Sequence, residues 1–313
     1  MNTYMIKELR EASIVIDKII NLNEDIFLDI VKNIDNKNII LTWMWSSYFI
    51  SEIWAYFLKN IALDNRSYSH SADEVENHLP FLNKDYFIIT FSQSWNTKEV
   101  SNLLIKLKEE KISTFSLINN INWKHIELSY NNFFFDIWLE KSPVSTKYVI
   151  YIVLFLYKLS LISWNINSAI SLKEKNKYLD DIRLLKVFSE NVFEKYDSIL
   201  EKLTKKYSLW DNFLVIWNWL NYFIAKEISL KTRETIAINT SYDDIWQLNH
   251  WWINSVNNKT ICILLEDNKE ISDKIVKRWW KVISLWKSNN FDIEFNWINQ
   301  FIDSIQKIIL LQY

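Results

Sequence analysis

Short apolar runs alternate with longer amphipathic stretches along the chain. Residues 37–42 (K-N-I-I-L-T), 85–91 (D-Y-F-I-I-T-F) and 112–118 (I-S-T-F-S-L-I) are dominated by large apolar and β-branched side chains, which predicts buried strands. Residues 46–60 and 96–110 place their apolar residues at helical spacing. The pattern begins again at 212, where F-L-V-I-W-N-W-L-N-Y weakly repeats residues 39–48. Such alternation predicts an α/β fold, with parallel strands and helices on both faces of each sheet. An amphipathic helix is expected over 4–20 and a charged connecting helix over 173–206. The chain then divides into 1–172, an N-terminal helix plus a first sheet domain, and 173–313, a linker helix plus a second. The most apolar stretch, 148–156 with 159–162 behind it, is interrupted by Lys158 and Ser160 and predicts a buried core helix rather than a membrane span.

Composition narrows the field. The 313 residues carry a formal net charge of −2, so no basic footprint argues for nucleic acid or an anionic membrane as partner. Cys262 is the only cysteine and lies in an apolar run, T-I-C-I-L-L, which fits a buried structural thiol. The N-terminus lacks a cationic-then-apolar targeting pattern, and a cytoplasmic location is expected. No metal-ligand spacing is present, and neither metal nor cofactor is expected.

The handovers from strand to helix hold the candidate chemistry. Residues 41–48 read L-T-W-M-W-S-S-Y, and 87–97 read F-I-I-T-F-S-Q-S-W-N-T. A hydroxyl-bearing turn that opens a helix suits a phosphate, because the free N–H groups and the helix dipole both favour an anion there. Such turns use glycine, which alone takes positive φ freely and lets the backbone approach a ligand. This chain has no glycine and 17 tryptophans, where average usage gives about 22 glycines. The expectation is that most tryptophans stand where the natural protein has glycine, as when UGA codons of a lineage that reads them as glycine are rendered as tryptophan. Trp43, Trp45, Trp95, Trp217, Trp219 and Trp251, all at strand ends, are then expected in backbone conformations that suit glycine.

With glycine at Trp95, the second turn becomes S-Q-S-G-N-T and resembles the signature of SIS (sugar isomerase) domains. These are the phosphosugar-binding units of the isomerase half of glutamine–fructose-6-phosphate aminotransferase and of its glutaminase-less relatives, the glucosamine-6-phosphate deaminase type among them. Residues 138–147, W-L-E-K-S-P-V-S-T-K, resemble the family's G-P-E-K-S-V-A-A-T-K. The stretch A-K-E-I-S-L-K-T-R-E-T followed by W-Q-L-N-H-W-W resembles A-L-E-x-A-L-K-L-K-E-x and G-E-x-K-H-G-P, with the Glu234-to-His250 spacing kept without a gap. Arg233, Gln247, Asn249 and Trp252 depart from those patterns, and Pro143 departs from the first. The resemblance covers nearly the whole chain and implies two SIS domains, each a parallel five-stranded flavodoxin-like sheet.

It also implies roles. Ser46, Ser47, Ser92, Gln93, Ser94, Thr97 and Ser145 would hold the sugar phosphate through neutral donors. Glu234 would carry the proton between carbons 1 and 2, His250 would open the sugar ring across a homodimer interface, and Lys231 would lie close to the reacting carbons. Ser142, Ser145 and Thr146 also suit plain helix capping. His70, His78 and His125 match no motif and are expected to be structural. The implied activity is aldose–ketose isomerisation of amino sugar and ketose 6-phosphates, coupled to deamination or to amination by free ammonia. The alternatives are the isomerase subunit of a split aminotransferase served by a separate glutaminase, and a catalytically inactive sugar-phosphate sensor. The chain opens directly at the sugar-binding half and stops at I-I-L-L-Q-Y. Relatives continue there into a tail with a further catalytic lysine, an expected difference that favours the sensor, as the Glu234/His250 pair favours the enzyme.

Overall fold

The structure is a computed structural model. It describes residues 4–43, 51, 52, 55, 66–92, 98–119, 125–206, 212–217, 221–250, 257–265, 268–277 and 281–284. By compactness the chain divides into Ile14–Asp180 and a second unit made of Met1–Ser13 with Asp181–Tyr313.

Five parallel strands form the sheet of the first unit: β1 Asn38–Trp43, β2 Ser67–Ser71, β3 Tyr86–Ser92, β4 Ser113–Ile118 and β5 Asn131–Phe134, in the order β2-β1-β3-β4-β5. This is the flavodoxin-like winding that the resemblance implies, with β1, β3 and β4 within about a residue of the apolar runs. The expected helix over 4–20 is interrupted at Glu11, giving α1 Tyr4–Arg10 and α2 Ala12–Ile20. Then follow α3 Glu24–Ile34, α4 Ala72–His78, α5 Lys98–Glu109, the four-residue α6 His125–Leu128 and α7 Lys147–Ile166. Residues 51, 52 and 55 are helical; the rest of the helix expected over 46–60 lies outside the described residues.

Each face of this sheet is covered for a reason visible in the side chains. Ile40 and Ile88 turn to one face and meet Val75 of α4 and Val100, Leu103, Leu104 and Leu107 of α5. The i, i+3, i+4, i+7 spacing on α5 is what places those four on one side. On α7, Phe155 meets Phe27 of α3 and Phe133 of β5, with ring centroids 4.8 and 5.6 Å apart. α7 is long and apolar enough to cross a membrane, yet it is buried within its own unit and serves as the expected core helix. Its one mid-helix cation, Lys158, donates to the carbonyls of Ile19 and Ile20 at the end of α2 and of Leu22 just beyond it.

Four parallel strands form the second sheet among the described residues: β6 Asn212–Trp217, β7 Thr240–Asp244, β8 Thr260–Leu264 and β9 Lys281–Ser284, ordered β7-β6-β8-β9. The fifth strand expected there lies outside the described residues. α8 Leu172–Lys206 is the expected charged helix, and the division between the units falls inside it. α9 Asn221–Ile236, α10 Ile245–His250 and α11 Lys269–Lys277 accompany the strands. Leu214, Ile216, Cys262 and Leu264 pack with Leu248, Ile271 and Ile275.

Positive φ is found at Asn36, Lys111, Ser168 and Ala237 among the described residues, each just past the end of a helix. The geometry is a helix stop: Ile112 N donates to Leu107 O and Ala169 N to Trp164 O, the six-to-one bond of a Schellman motif. The expectation that strand-end tryptophans take glycine-like backbone fails at two positions. Trp43 and Trp217 are the last residues of β1 and β6 and continue the ladder, opposite Ser71 and Asp244. A strand residue needs no positive φ, so the strand simply extends through them. Trp45, Trp95, Trp219 and Trp251 lie outside the described residues.

Candidate functional site

In a doubly wound sheet, ligands sit beyond the C-terminal strand ends. In the first unit that edge is underlain by a polar row. His70, Thr42, Thr90, Ser116 and Asn132 are successive register partners across all five strands and so project from one face. Thr90 and Ser116 join their hydroxyls at 2.7 Å. Thr42 Oγ1 is buried with no hydrogen-bond partner among the described residues. Asn119, just past β4, accepts from Ile137 N at 3.1 Å and ties down the segment that leads to α7.

Ser92 ends β3 at this edge, as the sequence implies. Ser46, Ser47, Gln93, Ser94 and Thr97 lie outside the described residues. Ser145 is half-buried, two residues before α7. Next to it, Oε1 of Glu140 accepts from Thr146 N, Thr146 Oγ1 and Lys147 N at 2.6–2.7 Å. A carboxylate of the chain therefore already occupies the start of α7, where the dipole favours an anion. Glu140 was not singled out from the sequence, although it falls on the glutamate of the G-P-E-K-S pattern, seven residues before α7. Ser142 accepts from Val144 N at 3.2 Å in the turn ahead of α7, whose cap position is Thr146 rather than Ser142.

The second unit gathers the charged groups. α9 leaves the C-terminal side of β6 and is fixed to β7 by Ser229, whose hydroxyl donates to Thr240 O at 2.7 Å. Glu227, Lys231 and Glu234 share one face of this helix, at i, i+4 and i+7. Lys231 Nζ lies 3.3 Å from Glu234 Oε2 and 3.5 Å from Glu227 Oε1. The lysine is buried, while the Glu234 side chain keeps 32% of its exposure. The structure thus brings two of the sequence-derived candidates, Lys231 and Glu234, into contact. His250 ends α10 with its side chain exposed. Asp244 caps the start of α10, its Oδ1 accepting from Trp246 N at 2.6 Å and Gln247 N at 3.3 Å. No hydrogen bond or ion pair among the described residues joins His250 to Lys231 or Glu234.

Glu227 is the residue that sequence reasoning missed. It is 2% exposed, and neither carboxylate oxygen has a hydrogen-bond partner among the described residues. Burial pushes its pKa up to about 7; the Lys231 charge opposes that shift and the Glu234 charge adds to it. Its sequence signals were its match to the glutamate of A-L-E-x-A-L-K and the i, i+4 spacing to Lys231. Beside it, Lys226 stacks over Tyr222 at 4.2 Å, where the family pattern has leucine, and Tyr222 lies edge-on to Tyr242.

Other candidates fall away. Burial holds the Cys262 thiol near 12, far from a nucleophile's range. His70 lies 3.6 Å from Glu74, and its ring is 5.6 Å from that of His78, a surface cluster on β2 and α4. No group of three metal-ligating residues is present among the described residues. Nothing is described of the His125 side chain.

Two parallel, doubly wound sheets flanked by helices define an α/β protein. No family model matches the chain. It is 27% identical over 289 residues to the glutamine–fructose-6-phosphate aminotransferase (isomerizing) of Fusobacterium nucleatum, which covers 87% of this chain and 46% of that protein. The chain spans about half the length of that curated relative. Its fold matches the C-terminal domain of glucosamine-fructose-6-phosphate aminotransferase from Francisella tularensis, with TM-score 0.84, 18% identity, and coverage of 100% of this chain and 94% of that one. It also matches glucosamine-6-phosphate deaminase from Thermotoga maritima, with TM-score 0.73, 18% identity, and coverage of 99% and 93%. In sequence and in fold the chain is thus similar to proteins of the SIS (sugar isomerase) type.

Proposed function

We propose that the protein is a sugar-phosphate isomerase acting on amino sugar and ketose 6-phosphates, interconverting glucosamine 6-phosphate and fructose 6-phosphate with release or uptake of ammonia. The observation that carries this reading is the Lys231–Glu234 contact on α9, in the stretch that most resembles the family's catalytic segment. Isomerisation moves a proton between carbons 1 and 2 of the open chain. A half-exposed carboxylate held by a buried lysine can take that proton and return it on the same face. Lys231 supplies positive charge next to the enediolate-like charge that develops on the sugar oxygens.

Turns after β1 and β3 hold the phosphate in this reading, with Ser46, Ser47, Ser92, Gln93, Ser94 and Thr97 as neutral donors and Ser145 nearby. His250 assists ring opening, in a partner subunit's site if the protein is a homodimer. A separate glutaminase remains the source of ammonia in the split-aminotransferase version. The test is to incubate the full chain with glucosamine 6-phosphate and measure ammonia and fructose 6-phosphate together. Equal amounts of both support the reading, and binding without turnover replaces it with a sensor.

A further inference from the structure

The segment between β5 and α7 has neither helix nor strand, yet side chains tie it down at both ends. At its start, Phe135 N donates to Ile118 O at 3.0 Å and Ile137 N to Asn119 Oδ1 at 3.1 Å. Both bonds hold the chain against the C-terminal end of β4. Further on, Val144 is buried, and Pro143 before it has its φ fixed by the ring. At the far end, Glu140 reaches forward to the first residues of α7.

What Glu140 does there departs from ordinary helix capping. Thr146 holds the cap position of α7 but makes no side-chain cap bond. Its hydroxyl donates to Glu140 Oε1 at 2.6 Å instead. The same oxygen accepts from Thr146 N at 2.7 Å and from Lys147 N at 2.6 Å. A carboxylate suits three converging donors, because its charge makes each bond shorter and about twice as strong as a neutral one. It also meets the positive end of a 20-residue helix. Residues 140–147 are thereby closed into a ring. The closing residues Thr146 and Lys147 are fully buried, while Ser145, inside the ring, is half-buried.

We propose that Glu140 is a positioning residue for the sugar phosphate: by closing this ring it fixes where Ser145 stands against the substrate. The inference rests on the reading of Ser145 as a substrate-binding residue. Glu140 acts through Ser145 and touches no substrate itself. Its bonds fall on Thr146 and Lys147, so the backbone on the C-terminal side of Ser145 cannot shift while they hold. Asn119 anchors the other end of the segment to the sheet.

The experiment measures KM and kcat for glucosamine 6-phosphate, with a calorimetric Kd beside them. The proteins are the full chain, Ser145→Ala, Glu140→Ala, Glu140→Gln and the Ser145→Ala/Glu140→Ala double variant. Ser145→Ala and Glu140→Ala are each expected to raise KM and Kd about tenfold, the worth of one hydrogen bond to the substrate. In Glu140→Ala, kcat is expected to change less than about twofold. Glu140→Gln keeps the shape and one acceptor oxygen, and is expected to raise KM and Kd about threefold. A merely structural cap would lower the urea midpoint and the folded fraction, hence the apparent kcat, and leave KM and Kd where they were.

The double variant decides the matter, because with Ser145 gone the loss of Glu140 should raise KM no further. Should Glu140→Ala fail to fold, Glu140→Gln in both backgrounds carries the same comparison. If the full chain binds glucosamine 6-phosphate without turning it over, the isomerase reading fails and the Kd series alone decides the inference. If the full chain binds none, or Ser145→Ala leaves KM and Kd unchanged, the Ser145 reading fails and the inference falls with it. If Ser145→Ala weakens binding while the Glu140 variants do not, or the two effects multiply in the double variant, the inference alone is overturned.

Discussion

Lys231 and Glu234 face each other across 3.3 Å on adjacent turns of one helix, the lysine buried and the carboxylate partly open to solvent. That pairing is a preset arrangement. A buried cation fixes the direction of the carboxylate, and its other side keeps contact with solvent. Removing the carboxyl charge while keeping its shape, as in Glu234→Gln, is expected to lower kcat by about 10²–10⁴-fold with little change in KM. Steady-state kinetics on glucosamine 6-phosphate check it.

Glu227 also makes a stability prediction. Its folded pKa of about 7 lies above the ordinary 4.5, so the folded protein holds an extra proton between these values. Folding stability from this group is therefore full below about 4.5, and it falls as pH rises through about 7. Glu227→Gln removes the titration. Thermal melts should show the variant gaining on the wild type from pH 5 to pH 8, with little difference at the acid end.

Lys158 should be structural. Its ammonium satisfies three carbonyls at the end of α2 from inside the core of the first unit. Lys158→Met keeps the stem and strips the donors, and is expected to cost about 2–4 kcal/mol by urea melts.

Ala237 takes φ 54° after α9. An L-residue pays about 1–2 kcal/mol in that region and glycine pays nothing, so Ala237→Gly should stabilise by about 1 kcal/mol after the entropy of glycine is subtracted. The same denaturant melts read it.

Much of this molecule was legible in its apolar periodicity. The runs at 37–42, 85–91 and 112–118 became β1, β3 and β4, because strands covered on both faces need continuous apolar character. Parallel pairing followed from the alternation with helices, and the flavodoxin-like order from the family resemblance. β2 was missed: S-Y-S-H-S is an edge strand, polar and half-exposed, and its sequence has no strand period. The break at Glu11 was missed as well, since apolar spacing persists through it. At the site, family motifs carried Lys231 and Glu234 correctly onto one helix face. Glu227 falls on a glutamate of the same pattern, but no role was drawn from it, because its burial is a property of the packed helix rather than of the residue.

The tryptophans are the other place where pattern and backbone part. Trp43 and Trp217 continue their strand ladders, and the positive-φ positions among the described residues are Asn36, Lys111, Ser168 and Ala237. Their strand geometry does not need glycine, but glycine fits it too. The expected outcome is that the natural protein, by intact mass and peptide sequencing, carries glycine at most of the 17 tryptophan positions. Seventeen tryptophans found intact would contradict it. Glycine at Trp45 and Trp95 is expected to tighten sugar-phosphate binding by calorimetry, because an indole beside the phosphate turns competes for their space.

The central claim is that Glu234 carries a proton between carbons 1 and 2 of a sugar phosphate. Run in D2O, the full chain should convert glucosamine 6-phosphate to fructose 6-phosphate bearing solvent deuterium at carbon 1, read by mass spectrometry and proton NMR. Glu234→Gln should bind the sugar phosphate and leave both product and label absent. Deuterated product from Glu234→Gln at the wild-type rate would contradict the account.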